Sequence, residues 1–340
     1  MGSAFHGVDC CSLSDEQLID LGVEIDRTLC AVFKISSVKP TLGLETKMAE
    51  AISKAWKAAV KKGITAPLSR LLKGKPTQGK IDTFVKALGL KLANPLTKRQ
   101  IAALQSQLKK IFKIAKDIGA REAKVAAFDF NRADLRAVRA VSKHQVFWIG
   151  DFYSAHLSER IQAVSSDVLL QRGFSQQEAG KQLRAALARE FGLVEGGRSK
   201  FAPSVPARYA GNPDLYFRGV ASTASHQCRS FGKVAAFVEA EIVTYRLVNP
   251  NDRRTGQICQ QMSGQVFSVK VAAQHMERII AAEKPEDVKE IAPWLSGEKL
   301  KDTIGDSKRG SKAAADKLAA AGAILPPFHM LCRTEPVVIS

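Results

Sequence analysis

Ile101, Leu104, Leu108, Ile111, Ala115 and Ile118 recur at alternating steps of three and four, which places them on one seam of a helix with Lys109, Lys110, Lys113 and Lys116 outside it. The stripe is shorter than three heptads, so it predicts packing against a neighbouring helix, with self-association as the second reading. A similar pattern begins near Glu45. Met48, Ile52, Ala55, Trp56 and Ala59 share one face, while Lys54, Lys57, Lys61 and Lys62 fall mostly on the other. Gly63 and Pro67 are expected to interrupt this basic helix, and the Gly/Pro/Lys-rich stretch 71–80 reads as a connector. Nearer the start, Ser14 followed by Asp15, Glu16 and Gln17 marks the cap of an acidic helix.

The middle of the chain continues as helix from Phe128 to Leu193. Val146, Phe147, Trp148, Ile149, Phe152 and Tyr153 are too dense an apolar group for a surface and read as core or subunit contact. Ser175 and Glu178 form a capping box, with Phe174 placed to staple a helix carrying Ala179, Leu183, Leu187 and Phe191. Glycine and proline then break the pattern, and Leu215 to Val248 reads as one long helix bent near Gly232. This gives a basic helical region 1–127, a helical body 128–193, a linker or arm 194–214, and a C-terminal domain 215–340.

The last third changes character. Residues 249–256 form a turn, Cys259 follows, 262–265 form a second turn, and Val266 to Val269 make a short strand whose expected partner is Glu335 to Ile339. Between those strands lie a helix over 272–283, an insertion over 284–309 and an alanine-rich helix over 311–321. The predicted fold class is therefore mainly α, with a small α+β C-terminal module ending in a hairpin-like strand pair. Pro326 and Pro327 set an extended path into His329 and Cys332. With Cys259, these supply three of the roughly four Cys and His ligands that zinc needs. His226 and Cys228, two apart on a helix, are poorly placed to share one ion.

The 340 residues are 45% apolar, enough for real cores, and carry a net charge of +18. That surplus favours polyanions, and Lys54, Lys57, Lys61, Lys62, Lys109, Lys110, Lys113 and Lys116 are candidates for nonspecific phosphate contacts. Six cysteines in this length fit a reducing compartment better than a disulfide scaffold. No apolar run approaches a membrane span, and the first residues lack the order of a secretory signal, so the chain is expected to work where it is made or in a particle assembled there, away from membranes.

The order Asp252-x-Arg254-Thr255-x-x-x-Cys259, then Gly264-x-x-Phe267, then Pro327-x-His329-x-x-Cys332-Arg333 resembles the C-terminal signature of phage minor head proteins, the head-morphogenesis family related to protein F of phage Mu. The resemblance covers about 125 residues from Leu215 onward. It implies a non-enzymatic virion protein of a tailed phage, inside the head or near the portal vertex, acting in head assembly, DNA packaging or ejection. The implied partners are portal, major capsid or scaffold proteins, with nonspecific contact to packaged double-stranded DNA. Many relatives bear Cys-x-x-Cys in the first turn and His-x-x-Cys in the last. Here Gly256 stands at the first cysteine, so Cys259, His329 and Cys332 carry over as candidate zinc ligands; either Asp252, His275 or Cys228 supplies the fourth, or the site holds no metal and is a packed, hydrogen-bonded knot. Arg254 and Arg333 read as structural, pairing with Asp252 or strand-end carbonyls. Two other readings stand beside this one. Arg218, Ser222, Thr223, Ala224, Glu239 and Glu241 loosely match an ADP-ribosyltransferase but fall within one predicted helix. The charge by itself would suit a nonspecific nucleic-acid-binding protein.

Overall fold

The lysine-bearing helix runs unbroken over Val38–Leu71 (α1) in the computed structural model, which describes residues 38–170, 175–194, 213–250 and 255–339. Gly63 and Pro67 do not interrupt it. Val60 is buried before them and Leu68 and Leu71 after them, and burial of an amphipathic face outweighs the hydrogen bond that proline removes. The helices that follow are α2 (Gln78–Leu92), α3 (Lys98–Glu122), α4 (Arg132–Phe152), α5 (Ser158–Leu170), α6 (Gln176–Glu190) and α7 (Pro213–Glu239), with one π-helical turn, Tyr153–Leu157, between α4 and α5. Ser175 caps α6 by accepting from the Glu178 amide, as its capping box predicts. The acidic helix at Ser14, the Phe174 staple and most of the 194–214 arm fall outside the described residues.

The described residues gather in two units. The first takes 42–111 and 135–225. Its core centres on Trp56, which is fully buried, meets Phe152 edge-on at 5.3 Å and lies 5.5 Å from Phe217; Phe152 in turn stacks on Tyr216 at 4.4 Å. Tyr153 donates its hydroxyl to the Val85 carbonyl at 3.0 Å; of the aromatic stretch, Ile149, Phe152 and Tyr153 are core, whereas Val146, Phe147 and Trp148 are half-buried. Arg160 and Glu190 form a buried ion pair between α5 and α6.

His144 on α4 is buried in this unit, and neither ring nitrogen has a hydrogen-bond partner among the described residues. Burial, helped by the neighbouring charge of Lys143, lowers its pKa to about 4. The unfolded chain takes up that proton below pH 6.5 and the folded one does not until about pH 4, so stability is lost as pH falls through this window. We expect this histidine to account for roughly 2–3 kcal/mol of the loss between pH 6.5 and 4. Urea unfolding at the two pH values should show that His144→Phe flattens the slope by about one proton; an unchanged slope would refute the assignment.

The second unit takes Thr41, 112–134 and 226–339. Here the end of α3 and the end of α7 run parallel at backbone contact. A β-carbon on Gly232 would come within 2.6 Å of the Phe112 carbonyl oxygen, and one on Gly119 within 2.8 Å of the Ala236 side chain. Of the predicted seam, Ala115 and Ile118 in this unit and Leu104, Leu108 and Ile111 in the first are buried, and Ile101 is half-buried. Lys116 is not a surface lysine. It is buried, and its ammonium binds Asp134 at 2.7 Å, Glu239 at 2.7 Å and the Asp129 carbonyl at 2.8 Å. The same reading that put it outside the seam overlooked Asp134, whose charge makes an interior lysine tolerable.

The sequence from Leu215 to Val248 is not one helix. Helix α7 ends at Glu239, where the Ile242 amide reaches back to Phe237 and Glu241 takes the left-handed conformation at φ 56. Thr244–Val248 is then a strand (β1), with Tyr245 and Leu247 buried and Arg246 exposed between them. The remaining elements are α8 (Gln257–Met262), β2 (Val266–Ser268), α9 (Val269–Ala281), α10 (Asp287–Ile291), α11 (Gly297–Ile304), α12 (Lys312–Ala320) and β3 (Glu335–Val338). The two strands expected to pair with each other do not. Both flank β1, antiparallel, in the order β2-β1-β3, with Tyr245 opposite Phe267 on one side and Val338 on the other. Gly264, at φ 80, makes the turn into β2 and donates to the Leu247 carbonyl. A mainly helical body thus carries a three-stranded sheet, and the mainly α class with a small α+β module holds.

Candidate metal centre

Cys259 lies on α8, and His329 and Cys332 lie in the turn that leads into β3. Tyr245 on the central strand donates its hydroxyl to the Ile324 carbonyl at 2.7 Å, which positions the segment containing Pro326 and Pro327. Asn249, just past β1, donates to the Cys259 carbonyl at 2.7 Å and positions the other side. The first turn and the last are therefore brought together by the two ends of one strand.

The Cys259 and Cys332 sulfurs are 3.7 Å apart, and His329 Nε2 is 2.8 Å from the Cys259 sulfur. The ligand atoms of all three lie within 4.8 Å of one another. A tetrahedral zinc with bonds of about 2.3 Å to sulfur has a sulfur–sulfur edge of about 3.8 Å, which the two cysteines match. The histidine is also turned correctly. Its Nδ1 donates to the Met330 carbonyl at 2.7 Å, which fixes the tautomer and leaves Nε2 as the donor to an ion. The Nε2–sulfur distance is a hydrogen bond that would open by about 0.7 Å around zinc. The three residues form an incomplete cluster capable of coordinating a metal such as zinc.

The electrostatics are asymmetric. The hydrogen bond from Cys332 holds the Cys259 thiol below the ordinary thiol range, against the effect of burial. Burial, and the bond it gives to Cys259, push Cys332 well above the ordinary thiol range. An ion binds both sulfurs as thiolates, and Cys332 is the one that resists losing its proton.

Of the fourth-ligand candidates, His275 is buried on α9 with its Nδ1 at 3.1 Å from Arg278, Cys228 is buried on α7, and neither joins the cluster. Asp252 and Arg254 lie outside the described residues. Arg333 donates to the Thr255 hydroxyl at 3.5 Å, and so links last turn to first. Phe267 is buried and stacks on Tyr245 at 5.8 Å; Pro327 follows Pro326 through a cis peptide bond. Of the lysines, Lys54, Lys61, Lys62, Lys109, Lys110 and Lys113 are exposed, whereas Lys57 pairs with Asp214 at 2.8 Å.

Beside the centre runs a buried network that the sequence reading missed. His226 Nε2 donates to the Thr334 carbonyl at 2.6 Å, and its Nδ1 faces Arg229 at 3.0 Å. Arg229 pairs with Glu335 at 3.5 Å, Glu335 with Lys233 at 3.1 Å, and Lys233 with Glu122 at 2.9 Å. Lys233 also donates to the Pro336 carbonyl, so α7 covers the outer edge of β3, where a proline lacking an N–H is tolerated. Burial disfavours the Lys233 charge, but Glu335 and Glu122 outweigh it and the pKa is raised. Burial raises Glu122 in spite of Lys233. The signal was present in Arg229 and Lys233, four apart within the apolar run that includes Phe231, Val234 and Phe237.

Compared with models of known protein families, with curated proteins and with solved structures, the chain matches none. Among the described residues, no helix is long and apolar enough to cross a membrane.

Proposed function

We propose that this chain is a minor head protein of a tailed phage, non-enzymatic, acting in head assembly or in DNA packaging and ejection through contacts with portal and capsid or scaffold proteins. The observation that carries the reading is the convergence of its signature. Residues Thr255, Cys259, His329, Cys332 and Arg333, split between two segments some seventy residues apart, meet in one tie whose two cysteines are buried. That arrangement suits a module whose C-terminal strand is locked to its first turn, a structural role. Cys259 and Cys332 are both buried, and no carboxylate of the described residues joins them to serve as a hydrolytic base. The exposed lysines of α1 and α3 would add salt-dependent, sequence-independent contact with packaged DNA.

The test is made on particles. Quantitative mass spectrometry of purified virions should find the protein at a few copies per head, and deleting its gene should lower infectivity at least tenfold. Mutant virions with a full set of head proteins and undiminished infectivity would sink the reading. A protein absent from virions that still binds duplex DNA would favour the host-type nucleic-acid binder instead.

A further inference from the structure

Cys259 and Cys332 are free thiols 73 positions apart in sequence, yet their sulfurs are in contact at 3.7 Å. A disulfide bond is about 2.05 Å long, so bonding requires each sulfur to move by less than about 1 Å. The fold holds the two segments at this approach from outside the pair. Asn249 donates to the Cys259 carbonyl at 2.7 Å, and His226 binds the Thr334 carbonyl, two residues beyond Cys332, at 2.6 Å. Cys228, by contrast, is fully buried on α7 and makes no such contact among the described residues. Cys259 is 3% exposed and Cys332 2%, and this burial selects the oxidant. Hydrogen peroxide is uncharged and little larger than water, whereas a charged peptide disulfide such as oxidised glutathione cannot bring its sulfurs to either thiol without opening the fold.

We propose that Cys259 and Cys332 are a redox pair, a modification site that small hydroperoxides convert to an intramolecular disulfide in the metal-free chain. One sulfur attacks a peroxide oxygen, the oxygen–oxygen bond breaks, and a sulfenic acid and water form; the second sulfur then displaces hydroxide from the first. Two electrons pass from the sulfurs to the peroxide, the two thiol protons leave in two waters, and one sulfur–sulfur bond is made. The same sulfurs serve zinc only as two thiolates, so the bond and the ion are alternative states of the pair. Neither an ion nor the head-protein reading is needed for the bond to form. Its effect falls on β3, because Cys332 leads into that strand and Cys259 lies on α8. The C-terminal strand becomes tied to the first turn by a covalent link that reductants reverse.

The test treats the reduced full-length protein, freed of metal by a chelator, with a small excess of hydrogen peroxide under native conditions. Peptide mapping by mass spectrometry should find Cys259 joined to Cys332, with a loss of about 2 Da for two hydrogens, and dithiothreitol should undo it. Oxidised glutathione should add nothing at either residue. Amide exchange over 335–338 should slow at least about tenfold in the oxidised protein and recover on reduction. Cys332→Ser, which leaves Cys259 without a partner, should show oxygen adducts of about 16 or 32 Da on Cys259 in place of the bond. Such adducts on the wild type without the bond, a bond from either residue to another cysteine, or no reaction at all overturns the pair. An equal yield of the bond in concentrated urea shows that the fold does not supply the proximity, and overturns it as well. Glutathione attached at either residue overturns the selection of a small oxidant, and unchanged exchange at β3 overturns the tie.

Discussion

Lys233→Ala should cost about 3–5 kcal/mol of unfolding free energy, the largest loss we expect from one substitution in the C-terminal unit. The ammonium is fully buried between Glu122 and Glu335, and its removal takes the cation from Glu122 and leaves buried Glu335 only its longer contact with Arg229, between α3, α7 and β3. Removing one partner of a buried pair is worse than removing both, because the survivor keeps its desolvation penalty. Glu335→Gln in a Lys233→Met background should accordingly cost less than the sum of the single changes, with a coupling of at least about 1 kcal/mol. Urea unfolding of the four proteins measures this. Additive effects, or a single-variant loss below about 1 kcal/mol, would mean that the network does not hold β3.

In the first unit the comparable change is Trp56→Ala, also about 3–5 kcal/mol. Trp56 is fully buried and in ring contact with Phe152 and Phe217, so truncation leaves a cavity lined by aromatic faces that cannot close. Leu90 supplies the contrast. It is 77% exposed on α2, and Leu90→Ala should change stability by less than about 0.5 kcal/mol. Equal losses at the two positions in urea titrations would contradict the core assigned here.

Much of this fold is legible in the sequence because helices announce themselves through spacing. The α3 seam, the Ser175 cap and the alanine-rich helix α12 with Ser311 at its cap all follow from local pattern. What local pattern does not reveal is which partner wins. Thr244–Val248 is preceded by a helix and has no turn residue of the usual kind at Glu241, so its strand character emerges only when β2 and β3 are available to flank it. Gly63 and Pro67 are breakers whose local cost is overridden by the burial of Leu68 and Leu71. Lys116 reads as surface until Asp134 and Glu239 are brought to it by the fold.

The metal centre shows the same division. Cys259, His329 and Cys332 are legible as ligands from residue type and order. The His329 tautomer is not, because it depends on a carbonyl one residue away and on a turn in which Leu331 takes φ 60. Nor is the nearness of Gly256 to Nε2, a distance across two segments remote in sequence.

The strand order β2-β1-β3 has a kinetic consequence. Strand β1 meets β2 early, across the short α8, but finds β3 only after α9 to α12 have been laid down. Pairings of such long sequence separation require a large loop to close first and slow folding accordingly. Until β3 arrives, Lys233 has Glu122 but not Glu335, and Arg229 lacks its carboxylate altogether. The half-made unit therefore holds uncompensated positive charge where its core should be. Docking of β3 is the step that lets the interior dry, and we expect it to be the last and rate-limiting event, with refolding slowed most by substitutions at Glu335.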